Sequence, residues 1–166
     1  MVFMNEKKAP DDLSIVPLWI NGSAQPIEKE ELFPVVSSIQ DKPIHYAVSA
    51  SPESAVSAVE SASKAFASWR KTSAPHRRNL LLKTADILER RAKEIMDYQM
   101  TETSCPKEFA GFNIKAGTIY VREIAAATSE LRGTVPQRMS DDAGNEVGGL
   151  TVVVREPVGV VLIIPP

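Results

Sequence analysis

The chain has 166 residues, 43% of them hydrophobic and 24% charged. That length fits one domain, and those proportions exclude whole-chain disorder and a collagen-like fibre. Nineteen Lys and Arg against 21 Asp and Glu leave a formal charge of −2 and a pI near 5.8, so no basic excess points to nucleic acid or an anionic membrane. A single cysteine, Cys105, rules out an intramolecular disulfide framework.

The opening residues carry Glu6, Lys7, Lys8, Asp11 and Asp12 without a long apolar run. They read as a flexible tail over residues 1–15, with neither a secretory leader nor an arginine-rich transit peptide, and no later run is long enough to span a bilayer. The expected location is cytoplasmic. Trp19-Ile20 then precedes Asn21-Gly22, a dipeptide suited to a type I′ hairpin turn because both residues tolerate positive φ. A second short extended run is expected over residues 44–49, after an Asp41-Lys42-Pro43 turn.

Three helical blocks follow. In the first, Ser51 is placed to cap, Pro52 occupies the first helical position and Glu53 the first turn. Ala55, Val56, Val59, Ala62, Phe66 and Trp69 keep helical spacing and predict one core-facing stripe. The second block starts near Ser73-Ala74-Pro75 and carries Leu80, Leu81, Ile87, Leu88, Ile95 and Tyr98, with a break around Arg90-Arg91. The third runs from about Lys107 to Arg132, with Phe112, Ile119, Ile124 and Leu131 expected inward and Gly133 as its stop.

Residues 140–149 read as a polar, glycine-containing loop. Residues 150–155 are rich in β-branched side chains, and residues 158–164, V-G-V-V-L-I-I, are apolar throughout. Such a run suits a strand buried on both faces of a parallel α/β sheet. That strand needs neighbours which the remaining Pro165-Pro166 does not supply, so the fold class expected is α/β, incomplete, and the chain reads as cut short.

Few residues carry chemistry by themselves. Cys105, between two helical blocks, reads as an incidental turn cysteine; as a lone thiol it is a weak nucleophile signal. His45 and His76 have no partners at zinc-ligand spacing and read as surface or packing residues. Arg77-Arg78 and Arg90-Arg91 read as a solvated helix face offset by Glu89 and Glu94. Asp141, Asp142 and Glu146 lack EF-hand spacing and read as a turn. No GxGxxG, GxxxxGK[ST] or GxSxG motif occurs.

The run Arg155-Glu156-Pro157-Val158-Gly159-Val160-Val161, leading to Ile164-Pro165-Pro166, closely resembles a segment of the NAD(P)-dependent aldehyde dehydrogenase superfamily, in which R-E-P-x-G-V enters a buried strand ending in Pro-Trp-Asn. Ile20-Asn21-Gly22 resembles the family's early hairpin. Ala65-Phe66 with Trp69 resembles its A-F-x-x-W helix. Arg77 with Leu80, Leu81 and Leu88 resembles the next helix, and Glu102-Thr103 the start of its E-T-G-K turn. Two departures stand out: Ser104-Cys105 replaces the Gly-Lys of that turn, and Ile163 and Pro165 alter the strand end.

The resemblance implies a small hairpin, a helical layer and the start of a parallel sheet, forming the N-terminal part of a cofactor domain over residues 16–166. Residues 150–156 would belong to an oligomerisation arm. It implies a parent enzyme that oxidises an aldehyde to a carboxylic acid with NAD or NADP, through a cysteine thiolate, an asparagine-lined oxyanion hole and a glutamate base. None of these groups maps onto this chain, and Cys105 does not match the nucleophile. Only Ile164, Pro165 and Pro166 fall where the family's strand end meets the dinucleotide.

The expected reading is therefore an inactive N-terminal fragment of a homo-oligomeric enzyme, whether from a truncated gene or an incomplete gene model. Val160-Val161-Leu162 faintly resembles the group acting on vanillin and salicylaldehyde. Two rivals stand beside it: a non-catalytic interaction protein that pairs with full-length dehydrogenase subunits, and a small enzyme using Cys105.

Overall fold

The computed structural model describes residues 12–27, 32–37, 39–136, 139–140, 143–147 and 150–165. Among these residues, β1 (Ile15–Val16), β4 (Leu32–Ser37) and β5 (Lys42–Val48) form a sheet in the order β1-β5-β4, while β2 (Trp19–Ile20) and β3 (Ser23–Ala24) form a separate hairpin. The helical layer comprises α1 (Pro52–Trp69), α2 (Ala74–Arg90), α3 (Ala92–Thr103) and α4 (Lys107–Ala127), closed by a 3-10 turn at Thr128–Glu130. A last hairpin pairs β6 (Met139–Ser140) with β7 (Glu146–Val147).

Local chemistry accounts for most element ends. Asn21 and Gly22 both hold positive φ, 55° and 75°, in the expected I′ turn. Gln25 tightens it by donating from Nε2 to the Ile20 carbonyl at 3.0 Å. Ser51 caps α1 by accepting from the Ser54 N–H at 3.1 Å, and Ser73 caps α2 by accepting from the His76 N–H at 3.3 Å. Proline sits early in both helices, where its missing N–H has no helical acceptor to satisfy. The expected break falls at Arg91, between α2 and α3.

The sheet was only partly legible. β5 lies centrally, parallel to β1 through Ile15–Tyr46 and antiparallel to β4 through Phe33–Ala47. β4 had no expectation in the sequence because Pro34 interrupts its apolar run; as an edge strand it tolerates the lost donor. The turn expected at residues 41–43 is confined to Asp41 (φ 50°), and Lys42-Pro43 already pairs with β4.

The core is narrow, and small residues make it. Ala85 of α2 and Ala110 and Ala125 of α4 are fully enclosed, with Ile27, Val48, His45 and Thr118 nearly so. Alanine at such positions lets helix axes approach closely. Between α2 and α4, Arg122 reaches Asp86 and Glu89, each at 2.9 Å. Glu89 thus serves Arg122, while Glu94 alone offsets the Arg90-Arg91 pair, through Arg91 at 2.7 Å.

Several inward assignments are corrected. Val56, Val59 and Trp69 of α1, Leu80 and Ile87 of α2, Tyr98 of α3, and Phe112, Ile119, Ile124 and Leu131 are exposed. Helical periodicity identifies an apolar face, but burial requires a neighbour across it, and the described residues provide none there. The same reason corrects the strand expected over residues 158–164. That run makes no ladder among the described residues, and Val158 is 91% exposed. Residues 150–155 contribute only an isolated bridge, Thr134 to Val153. The loop expected over residues 140–149 holds the β6–β7 hairpin. Asp141, Asp142, Gly148 and Gly149 lie outside the described residues, as does the tail through residue 11.

Candidate functional site

The most developed side-chain arrangement joins the central strand to the turn after α3. His45 points off β5 and is nearly buried, with its Nε2 3.3 Å from Oε1 of Glu102, one residue before α3 ends. A cleft of ≈ 600 Å³ opens beside them, bounded by Ser14, Ile44, Arg91, Asp97, Tyr98 and Thr101 among others. His45 was expected either at the surface or in packing, and it is nearly buried. The partnership with Glu102 had no signal in the sequence, since strand and helix end are far apart along the chain.

Ser104 caps α3 in the left-handed region, at φ 57° and ψ 24°, and its N–H donates to the Met100 carbonyl at 2.9 Å. Glycine suits that conformation because it has no Cβ to clash with the backbone. Cys105 follows, half-buried, and Pro106 caps α4 without a side-chain hydrogen bond. His76 meets the Trp69 ring edge-on at 6.4 Å. Among the described residues no group of three His, Cys, Asp or Glu side chains is placed to hold a metal.

Of the residues expected at a cofactor edge, Ile164 and Pro165 are described. Ile164 is 83% exposed and Pro165 is exposed in the same extended segment. Pro166 lies outside the described residues. Cys105 and the histidines belong to other parts of the molecule, and none of them was assigned to that edge.

The described residues thus form hairpins, a partial sheet and a helical layer with open apolar faces. The aldehyde dehydrogenase family profile matches residues 25–166.

The chain belongs to the aldehyde dehydrogenase family.

Its curated relatives agree. Vanillin dehydrogenase of Pseudomonas sp. strain HR199 is 34% identical over 151 residues, covering 91% of this chain and 30% of that protein. Salicylaldehyde dehydrogenase of Pseudomonas putida is 30% identical over 149 residues, covering 89% and 28%. The crystal structure of a salicylaldehyde dehydrogenase from Pseudomonas putida, complexed with salicylaldehyde, superposes with a TM-score of 0.78 at 24% identity, over 88% of this chain and 29% of that one. The architecture is therefore part of an aldehyde dehydrogenase fold, as the sequence implied. The chain spans less than a third of the length of these relatives. The reading as a non-catalytic interaction protein draws no support from the comparisons.

Proposed function

We propose that these residues form the N-terminal part of the cofactor domain of an NAD(P)-dependent aldehyde dehydrogenase acting on an aromatic aldehyde. The observation that carries the reading is the family match over residues 25–166, joined to relatives named for vanillin and salicylaldehyde at 34% and 30% identity. Residues 16–166 would serve as one partial domain, with 150–156 in the arm through which subunits of a homo-oligomer meet. No helix among the described residues is long and apolar enough to cross a membrane, which is in keeping with the cytoplasmic location we assign.

The division of labour follows from what the chain carries. Its residues build the hairpin, the capped helices and the apolar faces on which a larger domain can assemble. Ile164 and Pro165 would lie along the dinucleotide, but they are exposed, offer apolar surface, and Pro165 has no N–H for a phosphate oxygen. Alone they do not make a dinucleotide site. The thiolate, the oxyanion donors and the general base must come from elsewhere, so these 166 residues by themselves should oxidise no aldehyde.

An antibody against residues 51–69 tests this in the source cells. A species several-fold heavier than 18.1 kDa is expected, and once purified it should reduce NAD or NADP with vanillin or salicylaldehyde. Detection of the 18.1 kDa species alone would overturn the reading. A heavier species inert toward aldehydes would overturn the assigned reaction.

A further inference from the structure

The junction between α1 and α2 faces the segments around residues 131–134 and 153–157 across a cleft of ≈ 830 Å³. Four arginines line it, Arg70, Arg77, Arg132 and Arg155, against the single carboxylate of Glu156. This local excess of positive charge stands out in a chain whose formal charge is −2. Arg91 and Arg122, elsewhere on the helices, are each held by carboxylates. Among the described residues no carboxylate pairs with any of the four cleft arginines. Arg70 lies over the Phe66 ring, 5.6 Å from its centroid, and Arg77 donates to the Thr72 carbonyl, which leaves further guanidinium donors on both.

A backbone bridge lies beside two of these cations. Thr134 and Val153 exchange hydrogen bonds, with the Thr134 N–H donating at 2.9 Å and the Val153 N–H at 2.8 Å. Arg132 and Arg155 each lie two residues from that bridge and line the same cleft. A Cβ built on Gly133 would stand 2.7 Å from the Val153 oxygen and 3.9 Å from Val154 Cα, so the two segments pass close together here. Like charges lining one cleft repel. An anion seated between them turns that repulsion into two charge-assisted contacts, and a guanidinium fork matches phosphate oxygens in geometry.

We propose that this cleft binds a dianionic phosphate group, gripped by Arg132 and Arg155 with Arg70 and Arg77 supplying further positive charge. The inference is independent of the aldehyde-oxidising reading. Trp69, Leu131 and Val154 also line the cleft, so the phosphate can be inorganic or carried by a monoester with an apolar body. Both share the recognised chemistry.

Trp69 reports on the cleft directly, and Trp19 is the only other tryptophan. In the 166-residue chain carrying Trp19→Phe, fluorescence is titrated with potassium phosphate and with phenyl phosphate, against potassium chloride at equal ionic strength. Saturation by a phosphate but not by chloride is expected. Tighter binding of phenyl phosphate would assign a monoester, and equal binding inorganic phosphate. Replacing both Arg132 and Arg155 by Gln should weaken binding at least about tenfold. A second measurement needs no variant: phosphate should shield Arg132 and Arg155, but not Arg78 or Arg90, from phenylglyoxal, as read by mass spectrometry. No saturation, the same response to chloride, binding unchanged in the double variant, or no selective shielding would overturn the proposal.

Discussion

His45 Nε2 on the central strand stands 3.3 Å from Glu102 Oε1 at the end of α3, so one side-chain contact ties the sheet to the turn that replaces the family's glycine. The histidine is nearly enclosed while the carboxylate is 40% exposed. Loss of the two partners should therefore be unequal. His45→Ala empties a buried position and is expected to cost about 1–3 kcal/mol. Glu102→Gln keeps the shape and removes a half-exposed charge, for under about 1 kcal/mol. Urea unfolding of both variants checks this, and a neutral His45→Ala would show that the contact does not hold the sheet to α3.

Ser104 bears a Cβ in a left-handed conformation, at φ 57°. Ser104→Gly relieves that clash and should stabilise the chain by about 0.5–1 kcal/mol, a gain partly offset by the freer unfolded state of glycine. Ser104→Val should destabilise, since β-branching makes the same φ harder to adopt. Melting temperatures that move the other way would contradict the left-handed cap.

Gly133 admits the chain segment that carries Val153. Gly133→Ala puts a methyl 2.7 Å from a backbone oxygen, too close to persist, so the strands must part. The expected outcome is faster amide exchange at Thr134 and Val153, whose N–H groups make the bridge. Exchange at Ser54, at the opposite end of α1 from Trp69, should stay unchanged.

Acid should weaken the helical layer through two carboxylates. Glu53 is held below the ordinary value of 4.5, first by the Ser51 hydroxyl and then by its own backbone N–H. Glu94 is held below it chiefly by the hydrogen bonds from Arg91. A folded-state value below the unfolded one means the folded state favours the charged form. The resulting stabilisation is complete above the ordinary carboxylate range and is lost as pH falls through the lowered values. Both groups are exposed, so the effect is small, and salt should reduce the Glu94 part. Glu53→Gln and Glu94→Gln should flatten the acid limb of a stability profile followed by circular dichroism.

The open apolar surface has its own consequence. Val158, Leu162 and Ile164 are each more than four-fifths exposed, near Val160 and Ile163. A contiguous apolar strip of this kind binds hydrophobic dyes and self-associates. Val158→Lys with Leu162→Lys should lower dye binding and raise solubility of the 166-residue chain. A wild-type chain that stays monodisperse and binds no dye would contradict the exposure.

Helix starts, the I′ turn and the break at Arg91 were all legible because each depends on residues within one turn of one another. Ser51 with Pro52, Ser73 with Pro75, and Asn21 with Gly22 act locally. The inward faces were misassigned for the complementary reason. Phe112 and Ile119 lie seven residues apart on one helical face and are exposed, yet Ala110, Thr118 and Ala125 of that helix find enclosure. Spacing names a face and leaves open what covers it.

The amino-acid sequence by itself determined the caps, the turns and the family, since motif order and local backbone preference are written in short runs. The tertiary structure alone decided that His45 meets Glu102, that Arg122 of α4 reaches Asp86 at a separation of 36 residues, and that Thr134 bridges to Val153. It also decided that residues 158–164 remain unpaired, although they have the composition of a buried strand. The physical reason is common to all four: a strand, an ion pair and a buried face are each properties of two partners, and only the folded chain brings the second partner within reach or leaves it out.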